Sequence, residues 1–146
     1  MTPAIDRQPQ RLVLRNKFAD LPQLSRWIET CTRQDVSSDV AFAVALCLEE
    51  AVVNIMMHGG KDGLEITVEL ARERGALTAR IEDNGREFDP TRVPAPAPAT
   101  SLKDAKVGDL GIHLMRSFAS EMRYGRSGDR NQLTLLFLEP GAKSPE

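Results

Sequence analysis

The sequence predicts an α/β two-layer sandwich of the α+β kind, a mixed or antiparallel sheet with its helices on one face. Three observations predict it. Residues 38–58 carry Val40, Val44, Leu48, Ala51 and Ile55 on one helical stripe. Leu64, Ile66, Val68 and Leu70 alternate as a strand, and Leu77, Ala79 and Ile81 repeat the pattern after a turn at Arg74–Gly75. The whole order reads βα, α, ββ, long loop, α, ββ, which is not the strict alternation of a parallel sheet.

The first element, residues 11–18, has Leu12, Leu14 and Phe18 at even spacing and reads as an edge strand. Residues 21–33 follow with Leu21, Leu24, Ile28 and Cys31 at helical spacing, Trp27 beside them and Pro22 in the first turn. The long helix is signalled at both ends. Ser37 and Ser38 offer capping oxygens, Asp39 suits the positive end of the dipole, and Gly59–Gly60 stops the helix.

Residues 83–90, DNGREFDP, form a polar loop, and 93–100, VPAPAPAT, form a semi-extended connector because alternating Pro and Ala suit neither ladder nor helix interior. Gly108 to Gly111 then opens a helix carrying Ile112, Met115, Phe118 or Ala119, and Met122. Residues 122–126 and 132–138, joined through Ser127, Gly128 and Asp129, read as a closing hairpin.

The 146 residues suit one domain, and 41% hydrophobic with 27% charged residues lies in the globular range. We divide the chain into a flexible start at 1–10, a single domain at 11–139 with a lid loop at 91–110, and a flexible end at 140–146. A net charge of −2 steers nothing toward nucleic acid or anionic lipid, so a macromolecular partner is expected to be a protein. Cys31 and Cys47 sit in helical patterns without metal or redox spacing, and read as reduced, buried thiols. The start lacks the apolar core of a signal peptide, and no run is expected to reach a membrane span. The expectation is a soluble, cytoplasmic protein.

Three segments carry chemistry. Glu50, Asn54 and His58, four apart, climb one side of the long helix, and Glu50 lies well off the apolar stripe whereas Glu49 points away from the core. A carboxylate at a cleft rim accepts a proton from a nucleophile, and a side-chain amide oxygen is a hard ligand of the kind Mg²⁺ takes beside phosphates. Alone, E-x-x-x-N is a weak pattern. Asp83 stands at the mouth of a strand, where a carboxylate accepts an amino N–H from a base edge. Gly85 bars no ligand from the backbone, and Phe88 either plugs the loop or flanks a ligand. Gly108 and Gly111 at a helix start let backbone N–H groups face an anion, and the flexible loop before them suits a lid over phosphates.

In this order, E-A-V-V-N-I-M-M-H, D-N-G-R-E-F-D-P and G-D-L-G-I-H-L-M-R resemble the three motif boxes of the GHKL ATPase superfamily. The short length and the ending G-D-R-N-Q-L-T-L look most like the anti-sigma-factor serine/threonine kinases of partner-switching systems. The resemblance spans roughly residues 12 to 138. It implies a Bergerat-type fold, ATP and Mg²⁺ as cofactors, Asn54 on the metal, Glu50 as general base, and Asp83 on the adenine amino group with Gly85 beside the base. Gly108, Leu110 and Gly111 would belong to the lid and phosphate-binding helix start. The implied substrate is a serine or threonine on a STAS-domain anti-anti-sigma protein. The implied partners also include a sigma factor and a second copy, in a homodimer. One position departs from the family: Asp109 stands where its G-x-G run has glycine. A carboxylate beside triphosphate repels it by on the order of 1–4 kcal/mol, and Lys103, Lys106 and Arg116 are cations near enough to offset it. The alternative reading is a non-catalytic nucleotide- or partner-binding regulatory module with a weakened lid.

Overall fold

The computed structural model describes residues 9–15, 18–73, 75–94 and 109–140, and the side chains of 73, 109 and 110 are outside that description. Five strands, β1 Gln10–Arg15, β2 Glu65–Glu73, β3 Ala76–Asp83, β4 Glu121–Ser127 and β5 Arg130–Leu138, form one sheet in the order β1-β2-β3-β5-β4. Every neighbouring pair is antiparallel. Three helices, α1 Leu21–Thr32, α2 Ser38–His58 and α3 Asp109–Phe118, cover one face. The chain is therefore the predicted two-layer sandwich, with the sheet wholly antiparallel.

Strict alternation builds the core. Ile66, Val68 and Leu70 of β2, Ala79 and Ile81 of β3, and Leu135 and Phe137 of β5 are buried against Val44, Leu48 and Val52 of α2. The opposite sheet face carries Glu65, Thr67, Glu69, Arg80 and Glu82 together with Leu136 and Leu138, and Arg11–Glu69 and Arg80–Glu69 pair across it at 3.2 and 3.9 Å.

α2 has the predicted bounds. Ser37 Oγ accepts the Val40 N–H at 3.2 Å, and the Ser37 N–H donates to Glu139 Oε1 at 3.1 Å, which ties the helix start to the end of β5. An 18-residue window of this 21-residue helix reaches a mean hydropathy of 1.9, so the expectation that no run approaches a membrane span fails on composition. Half of that window is buried inside the fold, as a central helix flanked by sheet and two helices requires. Glu49, directed away from the core as expected, accepts the Ser25 hydroxyl of α1 at 2.7 Å.

Two boundaries near the start of the chain differ from expectation. Gln10, assigned to the flexible start, opens β1. The first strand ends at Arg15 rather than 18; Phe18 begins a 3-10 turn, Phe18–Asp20, and is 58% exposed. Even spacing alone cannot show where a ladder loses its partner. Of the expected lid, residues 95–108 lie outside the described residues, as do 1–8 of the start and 141–146 of the end.

Candidate nucleotide site

β3 and the C-terminal half of α2 converge on a cleft with about 480 Å³ of empty space, part of it open to solvent. Its apolar lining includes Ala51, Ile55, Met115 and Leu133; Asn54, Asp83 and Asn131 supply buried polar groups. That mixture suits a flat heterocycle with one polar edge.

Asp83 ends β3 and is 4% exposed. Its Oδ1 accepts the Gly85 N–H at 2.8 Å and Asn131 Nδ2 at 3.0 Å. Among the described residues no hydrogen bond engages Oδ2, which leaves one carboxylate oxygen to accept from a ligand. Asn131 sits opposite Asp83 in the β3–β5 ladder and is 6% exposed. Its Oδ1 accepts from Tyr124 Oη and from Arg126 Nη1, the latter at 3.0 Å, so the amide orientation follows from its partners. Nδ2 also donates to the Arg86 carbonyl at 2.8 Å. Burial, and then Glu87, push the Tyr124 hydroxyl above its ordinary pKa, against smaller opposing effects of the Phe88 backbone and Arg126. It therefore stays protonated and serves as a donor.

The loop after Asp83 is anchored rather than loose. Asn84 Oδ1 accepts the Glu65 N–H at 2.8 Å, and the Arg86 N–H donates to the Gly59 carbonyl at 2.9 Å. Gly85 is buried, and a Cβ there would lie 3.0 Å from Gly59 Cα, Gly59 O and Asp83 Oδ1. Its missing side chain thus admits the backbone at the end of α2, not only a ligand. Gly59 keeps helical geometry; the left-handed residue that turns the chain away is Gly60, at φ 68°. Phe88 does not plug the core. It is 38% exposed, lines the cleft, and stacks with His58 at 6.0 Å between ring centroids.

Asn54 is 6% exposed and lines the same cleft. Its Nδ2 is buried with no hydrogen-bond partner among the described residues. A buried amide without partners costs about 1–3 kcal/mol, so this side chain fits an external group that engages it. No cluster of three or more His, Cys, Asp or Glu among the described residues could cage a metal. A single amide is the sparse protein ligation Mg²⁺ accepts when phosphates and water complete its shell.

Glu50 is one turn before Asn54 and does not line the cleft. It is half-buried against Gly111, in the first turn of α3, where an added Cβ would overlap Glu50 Oε2. Leu110 lies in the same turn, and Gly108 falls outside the described residues. Arg116, named as a cation able to offset Asp109, has Nη2 donating to the Pro90 and Thr91 carbonyls at 3.1 and 2.8 Å. Those bonds fasten α3 to the loop that follows Asp83.

The structure thus brings Asn54 and Asp83 into one cleft, sets Gly85 beneath it, and joins Glu50 to Gly111 beside it. Sequence reasoning missed Asn131, Tyr124 and Arg126. A signal for Asn131 existed: it occupies the inward phase of β5, two residues before Leu133, and is the polar residue in an otherwise apolar row.

A family model described as the histidine kinase-like ATPase domain matches residues 14–137. The serine/threonine-protein kinase BtrW of Bordetella bronchiseptica is 37% identical over 112 residues, 75% of this chain and 79% of that protein. The structure of the RsbU and RsbW domains of Rv1364c from Mycobacterium tuberculosis aligns with a TM-score of 0.62 at 14% identity, over 89% of this chain and 31% of that one. The histidine kinase domain of the Erythrobacter litoralis blue-light-activated kinase EL346 aligns at 0.50 and 17% identity, over 84% of this chain and 60% of that one. At such identities these two likenesses bear on the fold alone.

Proposed function

The chain belongs to the histidine kinase-like ATPase domain family, and on that premise we propose that it is an ATP- and Mg²⁺-dependent protein serine/threonine kinase of a partner-switching system. The observation that carries this reading is the buried Asn54 side chain, whose Nδ2 has no partner among the described residues and so leaves a donor for a phosphate oxygen, in the same cleft as Asp83 and one turn from Glu50. Similarity to a serine/threonine kinase over most of both chains supports the class of acceptor.

In this reading Asp83 Oδ2 accepts the adenine amino group, while Gly85 and Asn131 hold Oδ1. Asn54 Oδ1 would hold Mg²⁺, which when bound neutralises phosphate charge. Gly111 and Leu110, with Gly108, would form the phosphate-facing helix start. Glu50 takes the proton of a serine or threonine hydroxyl, and that oxygen forms a bond to the γ-phosphorus. The bond from the γ-phosphorus to the β–γ bridging oxygen breaks, and ADP leaves. Most of the gain in such transfer comes from positioning and charge neutralisation.

The acceptor is a STAS-domain anti-anti-sigma protein, and the kinase, a cytoplasmic homodimer, also sequesters a sigma factor once the phosphorylated acceptor has left it. Incubation with γ-labelled ATP, Mg²⁺ and the STAS protein should transfer label to that protein, and Glu50→Ala should not. An acceptor that stays unlabelled with the wild-type chain sinks the kinase reading. Co-elution with a sigma factor tests the second activity.

One observation favours a second reading, a non-catalytic nucleotide- or partner-binding module. Asp109, the first residue of α3, is acidic at a helix start where phosphate binding favours glycine. Calorimetric binding of MgATP without phosphoryl transfer would select this reading.

A further inference from the structure

α3 contacts α2 at both ends. At its C-terminal end Phe118 meets Phe42 edge-to-face, with centroids 6.0 Å apart and planes at 71°. At its N-terminal end Gly111 meets Glu50. Seven residues separate the two α3 positions and eight separate those on α2, or about 10 and 12 Å of helix, so the helices run antiparallel with both spacings matched. Arg116 adds its two carbonyl bonds to the loop after Asp83.

The three atoms nearest to a Cβ built at Gly111 all belong to Glu50: Oε2, in overlap, then Cδ at 3.2 Å and Cβ at 3.4 Å. The carboxylate therefore rests on the one α3 residue that has no side chain. Its own backbone is fixed within α2. α3 is tied down toward its C-terminal end by the Phe118–Phe42 contact and the Arg116 bonds. The yielding part is the far end of the Glu50 side chain, which turns about soft torsions at little cost. A methyl group at position 111 would be absorbed by displacing the carboxylate, with small effect on the fold.

We propose that Gly111 is a positioning residue whose bare Cα seats the Glu50 carboxylate for proton transfer, rather than serving only to expose an N–H to phosphate. The inference rests on the reading of Glu50 as the proton acceptor. A displacement of about 1 Å at a general base costs on the order of a hundredfold in rate.

The test compares wild type, Gly111→Ala, Glu50→Asp and the double variant. Gly111→Ala should keep its thermal midpoint and its MgATP dissociation constant within about twofold, while kcat on the STAS acceptor falls about a hundredfold. Glu50→Asp, one methylene shorter, should slow the wild-type background and yet speed the Gly111→Ala background, because the shorter side chain clears the added methyl. That reversal is a coupling a merely structural role would not produce. MgATP affinity lost with kcat retained would overturn the proposal, since Gly111 would then act on phosphate.

A second readout needs no activity. In protein carrying isotope-labelled glutamate, the Glu50 carboxyl resonance, assigned by its loss in Glu50→Gln, should move in Gly111→Ala. An unmoved resonance overturns the seat whatever the kinetics. A wild-type chain inert toward the acceptor, with the resonance shifted, would instead remove the kinase reading and leave the seat standing.

Discussion

Asn131 donates from Nδ2 to Asp83 Oδ1 at 3.0 Å, across the ladder where the two residues face each other on β5 and β3. Because Gly85 fills the rest of Oδ1, the carboxylate is held in one orientation with Oδ2 turned to other uses. Asn131 is held in turn by Tyr124 and Arg126. Truncating it removes a partner from Asp83, Tyr124, Arg126 and the Arg86 carbonyl at once. Asn131→Ala should lower unfolding stability by about 1–3 kcal/mol and weaken adenine nucleotide binding. Urea denaturation and a fluorescent-nucleotide titration measure the two effects, and undiminished affinity would detach Asn131 from base recognition.

Asn54 should show the opposite balance between stability and binding. Its buried Nδ2 has no described partner, so a side chain of similar shape without polar atoms relieves a desolvation cost. Asn54→Leu should unfold at equal or higher temperature than wild type without nucleotide, by up to about 1 kcal/mol. It should also lose the thermal stabilisation that MgATP confers. A destabilised, still MgATP-responsive variant would contradict the role of the amide.

Gly85 tests backbone proximity. A Cβ would meet Gly59 backbone atoms at 3.0 Å, and these cannot rotate away as a side-chain terminus can. Gly85→Ala should therefore cost about 1–3 kcal/mol, in contrast to Gly111→Ala. Equal thermal midpoints for the two variants would show that this difference between backbone and side-chain neighbours has no energetic weight.

The thiols set an alkaline limit. Burial pushes Cys31 up to about 11, and burial with the Glu50 charge pushes Cys47 up to about 12, from an ordinary 9.0. Both folded-state values are raised, so the unfolded chain loses these protons first. The stabilisation is complete below pH 9, and it declines as pH rises toward 11 for Cys31 and 12 for Cys47. Urea midpoints taken from neutral pH to pH 11 should fall in wild type and fall less steeply in a Cys31→Ala/Cys47→Ala variant. Parallel slopes would discount the thiols.

Local periodicity determined much of this protein. The bounds of α2, its Ser37 cap and the alternating rows of β2 and β3 follow from features a few residues apart, whereas Asn54 and Asp83 stand out through the resemblance of short motifs to those of a family. Capping chemistry and side-chain phase act at that range. What only the tertiary structure decided are contacts between distant segments. β5 pairs with β3 and leaves β4 at the edge, which brings Asn131 to Asp83. α3 closes onto α2, which brings Gly111 to Glu50 and turns Arg116 toward the Pro90 and Thr91 carbonyls. Strand order and helix docking are selected by burial summed over the whole core, a quantity that no short window of sequence contains.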